Sequence, residues 1–402
     1  MGTAEGISLY IHIPYCLSKC AYCDFFSKPL GRQKDLLRSD EKFVPDSYLE
    51  ALCNEIAYRI SYYKIKKLNT IYIGGGTPSL LTTAQFQFLF STIRACAKLS
   101  PEAEITVEVN PDDVSNKLVE GLEACGVNRI SCGIQSLKDE VLKKACRRAD
   151  CANNLRAMTI FRNKWKGEVS VDLISGLPGE TEESFLKGLE LICDEKPSHV
   201  SLYSLTIEEN TPFGRQLALG KMKYDYDAAD RMWLLGRNFL EAHGYKWYEV
   251  SNFCLPEKEC VHNLAYWTHK SYLGCGSGAC GTVYSEDGTG FRWTNTSDIE
   301  EYSGRWLNSR KTTGTAAQPA EIPEIIDLQT SKFEFFMMGL RKISGVSEKE
   351  YRKLFGMPFP ESFVQLFKNW EAKGLCEISE EGRWSMSREG MLFLNRFLEE
   401  LC

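Results

Sequence analysis

The sequence predicts an α/β fold, a partial (β/α)6 barrel with its extension over residues 1–312, followed by a helical, winged-helix-like domain over residues 313–402. Three observations predict it. From residue 8 to 209, short runs rich in Val, Ile and aromatic residues alternate with longer stretches whose apolar residues recur at three and four, the pattern of βα units around a parallel sheet. At 402 residues the chain exceeds what a single core usually fills, roughly 250–300 residues, so two domains are expected. A segment of Thr, Ala, Gly and Pro over 310–323 divides strand-rich from helix-rich sequence, as a domain linker does.

Taken in order, strands are expected at 8–14, 69–74, 103–109, 127–134, 169–174 and 199–205, each rich in β-branched or aromatic residues. Helices are expected between them, clearest at 45–63, 83–99 and 181–193. Six units favour an open, partial barrel over a closed one of eight. A helix at 224–244 and a short strand at 246–250 follow. Over 254–305 the periodicity weakens, and the run Leu273-Gly-Cys-Gly-Ser-Gly-Ala-Cys-Gly281 implies close backbone approach, to a ligand or to another tightly packed strand. Beyond the linker, helices at 330–341, 347–354 and 360–373, a hairpin of 374–378 with 383–386, and a last helix at 388–401 resemble a winged-helix module. Its mixed surface charge argues for a packing or lid role rather than DNA binding.

Composition narrows the function. With 43% hydrophobic and 25% charged residues the chain is an ordinary globular one. A net charge of −6 gives no footprint for nucleic acid or an anionic membrane. No run of about 18 apolar residues is present, so no integral membrane segment is expected. The polar start, Met-Gly-Thr-Ala-Glu-Gly, lacks the charged and apolar regions of a secretory signal, and the cytoplasm is the expected compartment. In that reducing setting most of the 16 cysteines read as small buried hydrophobes, among them Cys53, Cys96, Cys125, Cys132, Cys146, Cys151 and Cys193.

Three cysteines stand apart. Cys16, Cys20 and Cys23 lie in Tyr15-Cys-Leu-Ser-Lys-Cys-Ala-Tyr-Cys-Asp24, one thiolate short of the four that usually hold a cubane iron–sulfur cluster, which would leave one iron open. A zinc site with a distant fourth ligand, a disulfide with a spare thiol and unpaired core cysteines are the alternatives. Their position is informative, because barrel-type α/β folds bind ligands where strands end. The first strand runs into these cysteines, the second into Gly74-Gly-Gly-Thr-Pro-Ser79, the third into Glu108-Val-Asn-Pro111 and the fourth into Gly133-Ile-Gln-Ser136. The fifth contains Asp172 and leads into Gly176-Leu-Pro-Gly179. Glycines admit a ligand to the backbone, or simply make a tight turn. Glu108 could accept bonds from ribose hydroxyls, or end a strand in a salt bridge.

In that order, with Gln135, Arg147 and Asp172, the motifs resemble the radical S-adenosylmethionine superfamily. Tyr10-Ile-His-Ile-Pro-Tyr-Cys-Leu-Ser-Lys-Cys-Ala-Tyr-Cys23 resembles its coproporphyrinogen dehydrogenase-like branch, over nearly the whole chain. The resemblance implies a radical-SAM partial barrel and a 4Fe-4S cluster on Cys16, Cys20 and Cys23. It also implies S-adenosylmethionine held by Tyr10, Tyr22, Gly75, Gly76, Thr77, Glu108, Gln135, Arg147 and Asp172.

Two features place the chain within that branch. The dehydrogenase typically carries a further cysteine two residues after the third; here it is Phe25. His262-Asn-Leu-Ala-Tyr-Trp267 resembles the His-Asn-x-x-Tyr-Trp signature of heme-chaperone members. A neutral imidazole suits heme iron, and Tyr266 and Trp267 offer flat apolar faces to a porphyrin; the alternative is a buried histidine packed between aromatics. The expected function is a chaperone that binds heme and transfers it to an acceptor protein, with no residue assigned as catalytic. The competing expectation is an oxygen-independent coproporphyrinogen III oxidase, which turns two propionates into vinyl groups. In either case an electron donor to the cluster is an expected partner.

Overall fold

Strand β1 (Ile7–Ile13) is followed by five more in the expected places: β2 (Lys67–Gly75), β3 (Lys98–Val109), β4 (Arg129–Gln135), β5 (Glu168–Ser175) and β6 (His199–Ser204). The computed structural model describes residues 6–31, 43–308 and 323–402. Each strand pairs in parallel with the next, from β1 through β6. The crossovers carry α1 (Asp46–Tyr62), α2 (Thr83–Cys96), α3 (Asn116–Ala124), α4 (Asp139–Lys144), α5 (Cys151–Lys164) and α6 (Glu182–Asp194). Polar caps set where several of these helices begin. Thr82 with Gln85 and Thr181 with Ser184 form reciprocal caps, while Ser115 and Asp150 each accept a bond from a backbone amide in the first turn, satisfying donors the helix cannot.

Side chains alternate across these strands, so one face of each is apolar and meets the helices. Leu9, Ile11, Ile71, Ile73, Val107, Ile130, Val171 and Val200 are fully buried there. The opposite face is polar, carrying Tyr10, His12, Tyr72, Glu108, Ser131 and Asp172 into the barrel interior.

The chain continues through α7 (Pro212–Ala218), α8 (Tyr226–Ala242), β7 (Lys246–Glu249), β8 (Asn252–Cys254) and α9 (Val261–Trp267). Then come β9 (Tyr272–Cys275), β10 (Cys280–Tyr284), β11 (Gly290–Thr294), α10 (Ile299–Asn308) and β12 (Glu324–Ile326). They widen the sheet beyond the expected six strands. β9 lies parallel to β1 on its free side, β10 to β12 follow antiparallel, and β8 and β7 extend the other edge from β6. Among the described residues the sheet has twelve strands.

The glycine-rich run is part of that extension. A β-carbon at Gly274 would lie 1.8 Å from the Cys280 carbonyl oxygen, and one at Gly281 would lie 2.1 Å from the Trp293 ring. Of the two expectations for this run, packing against a neighbouring strand is the one the fold realises.

The second region contains α11 (Leu328–Gly339), β13 (Val346–Ser347), α12 (Glu348–Phe355), α13 (Glu361–Glu371), β14 (Cys376–Ile378), β15 (Arg383–Met386) and α14 (Leu394–Leu401). The hairpin gains β13 as a third strand, around a core that includes Phe336, Tyr351, Phe363 and Phe367, with Trp384 packed against it. The expected boundary between residues 312 and 313 lies outside the described residues. Among those described, no helix is long and apolar enough to cross a membrane.

Two expected helices are shorter than the periodicity implied. The one at 83–99 stops at Cys96 because Lys98 and Leu99 pair with Lys67 and Leu68; strand pairing outweighs local helical preference. The last helix begins at Leu394, after a 3-10 turn over Gly390–Phe393. Gly390 approaches the Leu375 carbonyl so closely that a β-carbon would lie 1.8 Å from it, and this contact holds the chain off the helical path.

Candidate functional site

At the C-terminal ends of the parallel strands lies a cavity of about 540 Å³, within the range for cofactor sites. Cys16, Cys20, Tyr22, Cys23, Gly75, Gly76, Thr77, Glu108, Gln135, Arg147 and Asp172 all line it. Eleven of the twelve residues expected at the cluster and S-adenosylmethionine thus share one wall. Tyr10 is the exception, stacked behind Tyr72 at 6.2 Å with its hydroxyl 3.0 Å from His12 Nδ1.

The cysteine loop is fastened at several points. His12 Nε2 lies 2.9 Å from the Phe26 carbonyl oxygen, the amides of Lys28 and Leu30 bond the carbonyls of Pro14 and Cys16, and the Ala21 amide bonds the Ala145 carbonyl. The thiols meet polar neighbours: Thr77 Oγ1 donates to Cys16 Sγ at 3.3 Å, and Arg147 Nη1 to Cys20 Sγ at 3.6 Å. All sixteen cysteines are free thiols, so the disulfide alternative is not realised. Among the described residues, no three His, Cys, Asp or Glu groups converge on one ion. A cubane cluster takes one thiolate per iron and so does not call for three thiols on one ion; Cys16, Cys20 and Cys23 all line the cavity. Burial pushes the Cys23 thiol up to about 11, so loading a metal would release protons.

Gly75 has φ of +114°, and a β-carbon there would lie 2.7 Å from the His12 ring; at Gly76 it would lie 2.6 Å from the Tyr15 carbonyl oxygen. These glycines therefore bring β2 against β1 and the cysteine loop as well as lining the cavity. Gln135 also has a positive φ, +69°, at an irregularity between β4 and β5. Such a conformation is costly for a side chain other than glycine and tends to occur at functional positions.

Arg147 crosses the cavity wall, donating from Nη2 to Asn110 Oδ1 at 2.7 Å and to the Gly133 carbonyl. Its buried Nε has no partner, a donor left for an anionic ligand group. Asp172 accepts from Ser131 Oγ at 3.0 Å, and burial pushes its carboxyl up to about 6. Glu108 accepts from the Tyr72 hydroxyl at 2.8 Å and from the Gly75 amide at 3.2 Å.

Burial pushes the Glu108 carboxyl up to about 7, opposed by the Tyr72 bond, reinforced by the Asp172 charge and opposed again by the Gly75 amide. The folded value lies above the unfolded one, so its stabilising contribution is complete below the ordinary glutamate pKa and lost as pH rises through 7. In protein free of cofactor, Glu108→Gln should therefore gain melting temperature relative to the parent between pH 5 and 8.5, equivalent to at most about 3 kcal/mol. An unchanged gap at the two pH values would show that the carboxyl is not shifted.

The signature on α9 lies below the cavity, not in it. His262 is buried, with Nδ1 2.7 Å from Thr70 Oγ1 and Nε2 2.8 Å from the Tyr266 hydroxyl. Its ring stacks on Tyr72 at 5.0 Å, and burial lowers its pKa to about 3. Trp267 lies under the Arg341 guanidinium, which is 5.5 Å from its ring centre. The fold thus brings His262 and Tyr266 together, one ring removed from Glu108, and does not bring Trp267 to them.

Several lining residues escaped the sequence reading. Tyr72 shares the inward face with Thr70, so strand alternation could have found it. Asn110 lies within a motif already noted, and Arg148, paired with Asp113 at 2.6 Å, follows Arg147. Ser131 and Tyr203 carried no local signal.

A parallel partial barrel with a Cys-x3-Cys-x2-Cys loop at its strand ends defines a radical S-adenosylmethionine protein. The Radical SAM superfamily model matches residues 10–192 and the HemN C-terminal domain model residues 326–393. The superfamily implies a 4Fe-4S cluster and S-adenosylmethionine, and the thiols, the unpaired Arg147 donor and the lining carboxylates fit both. Heme chaperone HemW of Escherichia coli (strain K12) is 35% identical over 98% of this chain and 97% of its own length. HemW of Bacillus subtilis (strain 168) is 32% identical over 98% of this chain and 100% of its length. The chain belongs to the HemW family. The solved coproporphyrinogen III oxidase (HemN) from Escherichia coli shares the fold, with a TM-score of 0.78 at 21% identity, covering 98% of this chain and 90% of that one.

Proposed function

We propose that this protein is a heme chaperone, which binds heme through His262 and passes it to an acceptor protein. The observation that carries the reading is the state of His262. Burial keeps the imidazole neutral at physiological pH, and Thr70 engages Nδ1, so Nε2, bonded in this structure to the Tyr266 hydroxyl, is the nitrogen left for a metal once that bond is released. The names of the HemW relatives support the same reading.

Cys16, Cys20 and Cys23 would hold the cluster. Tyr22, Gly75, Gly76, Thr77, Glu108, Gln135, Arg147 and Asp172 would hold S-adenosylmethionine, with Tyr10 acting through Tyr72. When bound, the two groups supply one-electron chemistry or a charged platform. The chain's own part is to bind and orient. Arg147 places positive charge beside Cys20, where thiolate charge would gather; Glu108 and Asp172 offer acceptors to hydroxyl and amine groups. An acceptor protein, an electron donor and a cytoplasmic setting complete the proposal.

Adding heme should give a shifted Soret band, weakened at least tenfold in affinity by His262→Ala, as loss of an axial ligand does. No spectral change in the parent protein would defeat the reading. The oxidase reading rests on likeness to HemN, and Phe25, 71% exposed at the cavity mouth, stands against it. Anaerobic incubation with coproporphyrinogen, S-adenosylmethionine and reductant should leave the substrate unchanged; turnover would favour the oxidase.

A further inference from the structure

We propose that Tyr266 is a gate on His262: its hydroxyl occupies Nε2 and must leave before that nitrogen can ligate heme iron, so Tyr266 opposes ligation rather than serving as a platform for the porphyrin. The inference deepens the heme-binding reading and rests on it. His262 is 1% exposed, and its ring is held at Nδ1 by Thr70, at Nε2 by Tyr266 and across one face by Tyr72.

These three holds differ in what it takes to release them. Thr70 and Tyr72 belong to β2, which is hydrogen-bonded to β1 on one side and β3 on the other, and the Tyr72 hydroxyl is tied to Glu108. Displacing the backbone that carries either one would break pairing at the centre of the sheet. Tyr266 lies one turn along the seven-residue helix α9, its side chain half-buried and its hydroxyl enclosed against His262. Among the described residues, the only hydrogen-bond partner of its hydroxyl is His262 Nε2. T-shaped contacts with His262 at 5.0 Å and Tyr272 at 4.6 Å already occupy its ring.

Nε2 is thus the end of the imidazole that can change partner. With Nδ1–H donating to Thr70 Oγ1, the Tyr266 O–H···Nε2 bond breaks and the Nε2 lone pair forms the bond to iron. No proton is gained or lost by the ring. In this account the signature's histidine and tyrosine, four residues apart, are a ligand and its competitor.

Heme titration of full-length, cluster-loaded protein, followed by the Soret band, tests this with parent, Tyr266→Phe and Thr70→Val. Removing the hydroxyl removes one competing hydrogen bond, so Tyr266→Phe should bind heme about two- to tenfold more tightly. Thr70→Val removes the group that fixes the tautomer and should weaken binding about tenfold or more. Structural damage alone would weaken both variants. Equal or weaker affinity in Tyr266→Phe, against a parent that binds heme, would overturn the gate. Absence of any Soret change in the parent would instead overturn the heme reading beneath it.

Discussion

Replacing Cys20 with alanine should abolish the broad brown absorbance of anaerobically reconstituted protein and bring its iron and sulfide content close to zero. Three thiolates on one loop are the whole protein-derived ligand set for the proposed cluster, and a cubane held by two would be exposed on half its corners. Cys20 is also the thiol that Arg147 approaches, at 3.6 Å, so its loss removes the contact between the cluster loop and the arginine of the cavity wall. Cys125→Ala is the matched control: Cys125 is buried in the hydrophobic core and should cost stability without changing iron content. Full iron and sulfide in Cys20→Ala would contradict the ligand assignment.

The second large effect concerns Glu104, which sequence reading overlooked. Its carboxylate pairs with Arg129 at 3.0 Å, with side chains 8% and 5% exposed. It also accepts from the amides of Val261 and His262, at 3.0 and 2.8 Å, and from Cys260 Sγ at 3.3 Å. One residue of β3 therefore neutralises a buried cation and caps the helix that carries His262. Arg129 in turn donates to the carbonyls of Lys258 and Glu259, anchoring the approach to that helix. Glu104→Ala should destabilise the protein by about 3–5 kcal/mol, because it leaves the guanidinium buried without its partner. Denaturant unfolding measures this directly. Replacing both partners, Glu104→Leu with Arg129→Met, should recover much of the loss, since an apolar pair of similar size avoids the unpaired charge. A double variant as unstable as Glu104→Ala alone would show that the helix cap, not the ion pair, carries the energy.

The two cases mark how far the sequence could be read. The cysteine loop is a local signal: three thiols within eight residues, at the end of a strand that announces itself by its β-branched content. The strand-end motifs are legible for a related reason. A parallel barrel places every strand's C-terminal end on one rim, so knowing the strands suffices to bring Gly75, Glu108, Gln135 and Asp172 together. Tyr10 shows the limit, because whether a residue on such a strand touches the cavity or the layer beneath depends on how deep it sits in the barrel.

The contacts that decide the state of the heme signature carry no such signal. Thr70 and His262 are 192 residues apart, and Glu104 and the His262 amide are 158 apart. Nothing near either residue in the chain announces its partner. The same holds for β9, which completes the parallel sheet beside β1 from more than 250 residues away, and for the glycines packed against it.

By itself the sequence determined the βα repeat, the helical second region, the cysteine loop and the order of cavity motifs. Those depend on periodicities of two and 3.6 residues and on spacings within one turn or strand. Only the tertiary structure decided that His262 is closed off by Tyr266, that Trp267 belongs to a different contact, and that the sheet grows beyond its six parallel strands on both edges. Each depends on pairing between distant segments, where burial and hydrogen-bond geometry choose among partners that the linear chain leaves equivalent.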